Sequence, residues 1–156
     1  MHLHWHNGGV LGPRYLRGGR EPLVWTIHDS WAFTGGCHVP LDCDRFTREC
    51  GGCPQLGSQR AGDLSRWIYG RKARAWQGLQ PTLVTPSRWM ASGVERSSLL
   101  GGRPVRVIPT VIATNLYRPV DRTAARDQLG LPRDARIVLF GAINARADAN
   151  KGYDLL

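Results

Sequence analysis

Two groups of residues in the first third of the chain have types and spacing that could do chemistry. The first is His28-Asp29, placed directly after the apolar, β-branched run at residues 23–27. An imidazole at a strand end can donate a hydrogen bond or stabilise developing charge, and a neighbouring carboxylate can orient it. The second is Cys37, Cys43, Cys50 and Cys53, all four cysteines of the protein, inside one Gly- and Pro-rich loop. Cys50-Gly51-Gly52-Cys53 is a C-x-x-C knuckle whose glycines let two thiolates turn toward one ion. Four cysteines filling one tetrahedral Zn²⁺ would make a structural site, with no position open to water. His28 or His38 could replace a cysteine as ligand. Disulfides and free structural thiols are the alternatives; disulfides need an oxidising compartment, and the N-terminus carries no basic-then-apolar export signal. No catalytic metal is expected.

The elements that position these groups follow from punctuation and periodicity. Residues 2–6 alternate Leu3 and Trp5 with His2, His4 and His6, the pattern of a strand with one buried face, and Asn7-Gly8-Gly9 is a turn signal. Three histidines sharing a strand face raise the option of a metal there, though a strand end at a cleft fits as well. The unbroken apolar run at 23–27 suits a strand buried on both faces. Asp63 reads as the N-cap of a helix over 64–79, with Leu64, Ile68, Ala75 and Leu79 at core spacing. Its arginines and tryptophans also suit contact with an acidic lipid surface. Residues 83–85 form the next strand, Ser87 caps a helix from Arg88 to about Leu100, and residues 105–108 form a further strand ended by Pro109. Strand, excursion, helix, strand, helix, strand is the alternation of a parallel α/β sheet, in which ligands bind at the C-terminal strand edge.

Residues 110–120 read as a linker. Asp121 caps a short helix stopped by Gly130 and Pro132, and residues 136–140 read as a buried strand. Gly141, the loop after it and Lys151-Gly152 before a helix start form a phosphate-receiving pattern. The beginning of the chain inside a strand and its end inside a helix lead to the expectation of a fragment.

Composition sets the outer limits. The chain has 156 residues, 42% of them apolar and 21% charged, which supports a packed core. No apolar run reaches the roughly 18–20 residues that span a bilayer, and a cytoplasmic location is the expectation. The net charge of +9 favours anionic partners. Read with six tryptophans and a cysteine knuckle, it also fits a small zinc-bearing, nucleic-acid-binding module. The arginines are spread along the chain, however, so no nucleic acid is expected.

Taken together, HLHWHNGG, TIHDSWAFTGGCH, DCDRF, CGGCPQLG, LVTPSRWM and VIPTVIATNLYRP make nearly the whole chain resemble the GT-B glycosyltransferases of the large retaining group 1 family, also called family 4. The resemblance is to the colanic-acid and exopolysaccharide branch. It implies an α/β fold, the Rossmann-like parallel sheet of a GT-B enzyme truncated at both ends. Residues 1–109 would be the C-terminal half of the acceptor-side domain, carrying the four-Cys loop 37–53. Residues 110–156 would be the hinge and first βα unit of the donor-side domain. It further implies hexose transfer from a nucleotide-diphosphate sugar to a lipid-linked saccharide, at the inner face of the membrane, by an enzyme of which this fragment alone is inactive. By the resemblance His28 is the cleft histidine, Asp29 orients it or contacts acceptor hydroxyls, His6 and Asn7 line the acceptor site, and Lys151 contacts the donor diphosphate. Thr110-Val111-Ile112-Ala113 depart from the family's usual Asn-Gly-Ile/Val-Asp hinge, which leaves a degenerate, non-catalytic scaffold as a further alternative.

Overall fold

The structure is a computed structural model that describes residues 1–4, 12–16 and 22–156. The chain divides into two compact units, Met1–Val111 and Ile112–Leu156. The first is α/β and Rossmann-like in arrangement: a four-stranded, all-parallel sheet in the order β1 (His2–Leu3), β2 (Val24–Thr26), β3 (Thr82–Thr85), β4 (Val105–Val107). Because spatial order follows chain order and parallel crossovers are right-handed, the connections gather on one face of the sheet. The register sets Leu3, Trp25, Leu83 and Val105 side by side on one face of the sheet, and His2, Val24 and Thr82 on the other. Trp25 and Leu83 are buried, whereas His2 and Thr82 are exposed.

Two helices cover the buried face. Helix α1 (Leu64–Ala75) starts where the Asp63 carboxylate accepts the backbone N–H of Arg66, and α2 (Arg88–Arg96) starts where Ser87 Oγ accepts that of Met90. Both caps satisfy N–H groups that the first helical turn leaves without an internal partner. The Trp76 ring, at the end of α1, meets Trp25 edge-on with centroids 5.1 Å apart, and its indole N–H donates to Pro13 O at 3.2 Å. Val94, Leu99 and Leu100 complete the core beside Phe33.

The side of α1 facing the core follows its periodicity at Ala75 and at Leu79 just beyond the helix, and departs from it in the first turns. Ser65, Tyr69, Lys72 and Ala75 are buried, while Leu64 and Trp67 are more than half exposed. Two polar side chains hold this face inward. Tyr69 Oη donates to Arg48 O at 2.8 Å, and the Lys72 amine reaches the backbone of the segment after β2. Both helices also end earlier than predicted, at Ala75 and Arg96.

Gly93 shows how closely α2 approaches. A Cβ there would lie 2.9 Å from Phe33 Cζ, and Phe33 is 1% exposed, so the ring must shift toward the cavity that it lines or the helix must move away. Gly93→Ala is expected to destabilise the unit by about 1–3 kcal/mol through overpacking. An unchanged or raised thermal midpoint would show that the ring can shift.

In the second unit, α3 (Arg122–Leu129) begins with Asp121 Oδ1 accepting the Ala124 N–H and ends at Gly130 in the left-handed region, φ 65°. The strand expected at 136–140 is not formed. Val138 and Leu139 are 80% and 93% exposed, and among the described residues the unit holds no strand to pair with. An apolar run becomes a parallel strand only beside a neighbour that takes its N–H and C=O groups. The helix expected after Lys151 is replaced by two 3₁₀ turns, Ala149–Lys151 and Tyr153–Leu155.

Candidate functional site

β2 delivers His28 to the C-terminal edge of the sheet. Ile27 N donates to Val84 O at 2.8 Å, so the ladder runs on past Thr26 and fixes the backbone up to the histidine. His28 itself is exposed. Its Nε2 lies 3.0 Å from Nδ1 of His4, and the two rings stack with centroids 5.3 Å apart. His4 in turn packs on His2 at 4.4 Å, and His2 Nε2 meets Thr26 Oγ1 at 2.9 Å. The pairing of β1 with β2 thus builds an array of three histidines and a threonine on the open sheet face. Among the described residues no three His, Cys, Asp or Glu side chains are gathered closely enough to hold a metal ion, and His6, the third histidine of the predicted strand, lies outside the described residues.

Asp29 is turned the other way. Its Oδ1 accepts the Trp31 N–H at 2.9 Å, capping the 3₁₀ turn Ser30–Phe33, and its Oδ2 lies 2.7 Å from His38 Nδ1. The ring partner that the geometry gives His28 is His4, and Asp29 anchors the loop that follows.

That loop is tied down at every turn. Ser30 Oγ donates to His38 O at 2.6 Å and Thr34 Oγ1 to Cys37 O at 3.0 Å. Arg45 donates to the carbonyls of Gly51 and Gly52, and Gly35 N–H donates to Cys50 Sγ at 3.0 Å. Gly51 and Gly52 have φ of 143° and 56°, the backbone that the knuckle requires and that other residues rarely adopt. Asp63 Oδ2 accepts the Cys53 N–H at 2.7 Å, so the residue that starts α1 also holds the knuckle. The Cys53 amide and then the Ser65 hydroxyl keep the Asp63 carboxyl well below the usual carboxylate range.

All four cysteines are free thiols and line one cavity of about 30 Å³. Burial pushes the Cys50 thiol up to about 11 and raises Cys37 as well. A thiol that burial keeps protonated, as at Cys50, is a poor nucleophile.

Lys72 is the residue that the spacing did not single out. Its side chain is fully buried. The amine donates to Trp31 O and, at 3.0 Å, to Thr34 O, and lies 3.5 Å from the centroid of the Trp31 ring. Burial pushes it down to about 7, against the opposing pull of Cys37, Cys50 and Asp29. It clamps α1 to the segment linking His28 to the cysteine loop.

His6 and Asn7 lie outside the described residues. Lys151 belongs to the second unit, in the turn Ala149–Lys151, which is too short to supply a helix dipole.

No protein-family profile and no solved structure matches the chain. One curated protein, named as the colanic acid biosynthesis glycosyl transferase WcaC of Escherichia coli (strain K12), is 30% identical over 91 residues. This chain is similar to a glycosyltransferase. The alignment covers 55% of this chain and 22% of that relative, so the chain spans a minor part of the relative's length. A parallel α/β sheet with a polar strand edge agrees with that similarity.

Proposed function

We propose that the chain is part of a retaining GT-B glycosyltransferase. The enzyme moves a hexose from a nucleotide-diphosphate sugar to a lipid-linked saccharide in exopolysaccharide biosynthesis. The observation that carries this reading is the exposed His28 at the C-terminal edge of the parallel sheet, oriented by His4. The glycosyltransferase similarity agrees with it. In this reading residues 1–109 belong to the acceptor-side domain and residues 110–156 are the hinge and first βα unit of the donor-side domain. His28 hydrogen-bonds a sugar hydroxyl and stabilises charge as the bond to the leaving diphosphate breaks, while Lys151 contacts that diphosphate. The exposed Trp67, with the Arg71 guanidinium 4.6 Å from its ring centroid, is the side of α1 available to an anionic membrane surface. No helix among the described residues is long and apolar enough to cross a membrane. The enzyme would act from the cytoplasmic side, as a peripheral protein.

The test is transfer of labelled hexose from a panel of nucleotide-diphosphate sugars to lipid-linked oligosaccharide, by the complete gene product and by the 156-residue chain alone. Transfer by the former and none by the latter is expected. No transfer by either would mark a non-catalytic scaffold.

The cysteine loop is proposed as a brace closed by one Zn²⁺. Four thiols lining one small cavity support this. Metal analysis of the purified chain is expected to give one zinc per molecule. Cys50→Ser should release it and lower the unfolding midpoint. A metal-free wild-type chain with the same midpoint would show that packing and hydrogen bonds alone hold the loop.

A further inference from the structure

A cleft of about 290 Å³ opens between the cysteine loop and α2, apart from the histidine array. Its floor is aromatic: Phe33 and Phe46 are buried and meet edge-on with centroids 5.4 Å apart. Its rim carries Trp89, 61% exposed in the first turn of α2, together with Asp42, Asp44 and Arg96. These three charged side chains share one concavity, yet none forms an ion pair or a side-chain hydrogen bond among the described residues. The Arg96 guanidinium lies 5.7 Å from the centroid of the Phe46 ring, a contact that leaves its N–H donors unspent.

Unspent acceptors and donors around an apolar floor define what would fit. A sugar ring presents an apolar C–H face and a belt of hydroxyls that both donate and accept. Trp89 offers the flat apolar surface, the two carboxylates accept from hydroxyls, and the guanidinium donates to them. The volume lies near the lower end of small-molecule sites, roughly 300 Å³, which suits one or two rings. Local charge runs against the rest of the chain. On a protein of net charge +9, two carboxylates against the single guanidinium of Arg96 leave this place locally acidic, which favours neutral hydroxyls over phosphate or nucleic acid. α2 also begins just after the C-terminal end of β3, the neighbour of the strand that carries His28.

We propose that this cleft is a saccharide subsite that takes a sugar ring of the acceptor. The acceptor assignment rests on the glycosyltransferase reading, whereas sugar binding by the cleft does not. The 156-residue chain can be tested directly by saturation-transfer NMR with methyl hexopyranosides and cellobiose, with inorganic phosphate as the anionic probe. Binding of a glycoside is expected, with the C–H face of the ring receiving most of the saturation. Trp89→Ala and the double variant Asp42→Asn/Asp44→Asn should each weaken it about tenfold or more, and Trp89→Phe should restore part of it. All three positions are exposed, so unchanged circular dichroism will separate lost binding from lost fold. Absence of glycoside binding, equal binding by the variants, or displacement by phosphate would overturn the proposal. Glycoside binding by the chain without transfer by the complete gene product would support the subsite and sink the glycosyltransferase reading. Transfer without binding at Trp89 would do the reverse.

Discussion

Replacing His28 with alanine in the complete enzyme is expected to lower kcat by about 100-fold or more, the scale of a lost acid–base or charge-stabilising group, and to leave the fold intact. His28 is exposed and outside the buried core, and its ring contacts are to His4 on the open sheet face. Removing it therefore leaves no cavity and orphans no buried polar group. If the proposed transfer from a nucleotide-diphosphate donor holds, the loss should fall on kcat, because charge that develops on the leaving group is met only in the transition state. His4→Ala should act in the same direction and less, and alter the pH profile of kcat, since it removes the group that orients the ring but not the ring. Unchanged turnover in His28→Ala, with unchanged circular dichroism, would remove His28 from the reaction.

Stability in chelator-treated protein is expected to rise between pH 7 and pH 9, and Lys72→Met to abolish that rise. In the folded chain burial holds the Lys72 amine at about 7, whereas its ordinary value is 10.5. Below pH 7 both states carry the proton and the contribution is flat. Above pH 7 the folded state has released a proton that the unfolded state still binds. Unfolding then becomes harder by about 1.4 kcal/mol per pH unit. Above pH 9 the sign reverses for Cys50, whose thiol ionises near 9 when unfolded and near 11 when folded. There the unfolded state is the one that has lost a proton, and the curve should flatten. Denaturant unfolding at pH 7, 8 and 9 measures the slope. Equal slopes in wild type and Lys72→Met would show that the buried amine keeps its proton, held by the Trp31 ring and the two carbonyls.

Much of the first unit was legible because its signals are local. Asp63, Ser87 and Asp121 each cap the helix predicted after them, since a short acceptor side chain meets N–H groups two or three residues away. The run at 23–27 and its neighbours at 82–85 and 105–107 became strands of one parallel sheet, as the alternation of elements implied. The buried side of α1 was legible only toward its end, at Ala75 and Leu79. Leu64 and Trp67 look like core residues by type, yet the face that packs is set by Tyr69 and Lys72, whose acceptors lie 21 and 38 residues away in sequence. The run at 136–140 misled for a related reason, since strand-like composition carries no information about whether a neighbouring strand is there to pair with.

The candidate site divides in the same way. Residue types and spacing alone marked His28-Asp29 and the four cysteines as the places where chemistry could occur, because strand ends and Gly-rich loops announce themselves over a few residues. Only the tertiary structure decided their partners. The register of β1 on β2 gave His28 to His4, and the turn after β2 gave Asp29 to His38. Folding α1 over that turn buried Lys72 beneath it, and setting α2 against the cysteine loop opened the cleft beside Trp89. Local preference sets what each segment can be, but partners far apart in sequence meet only through pairing and packing, which no short stretch encodes by itself.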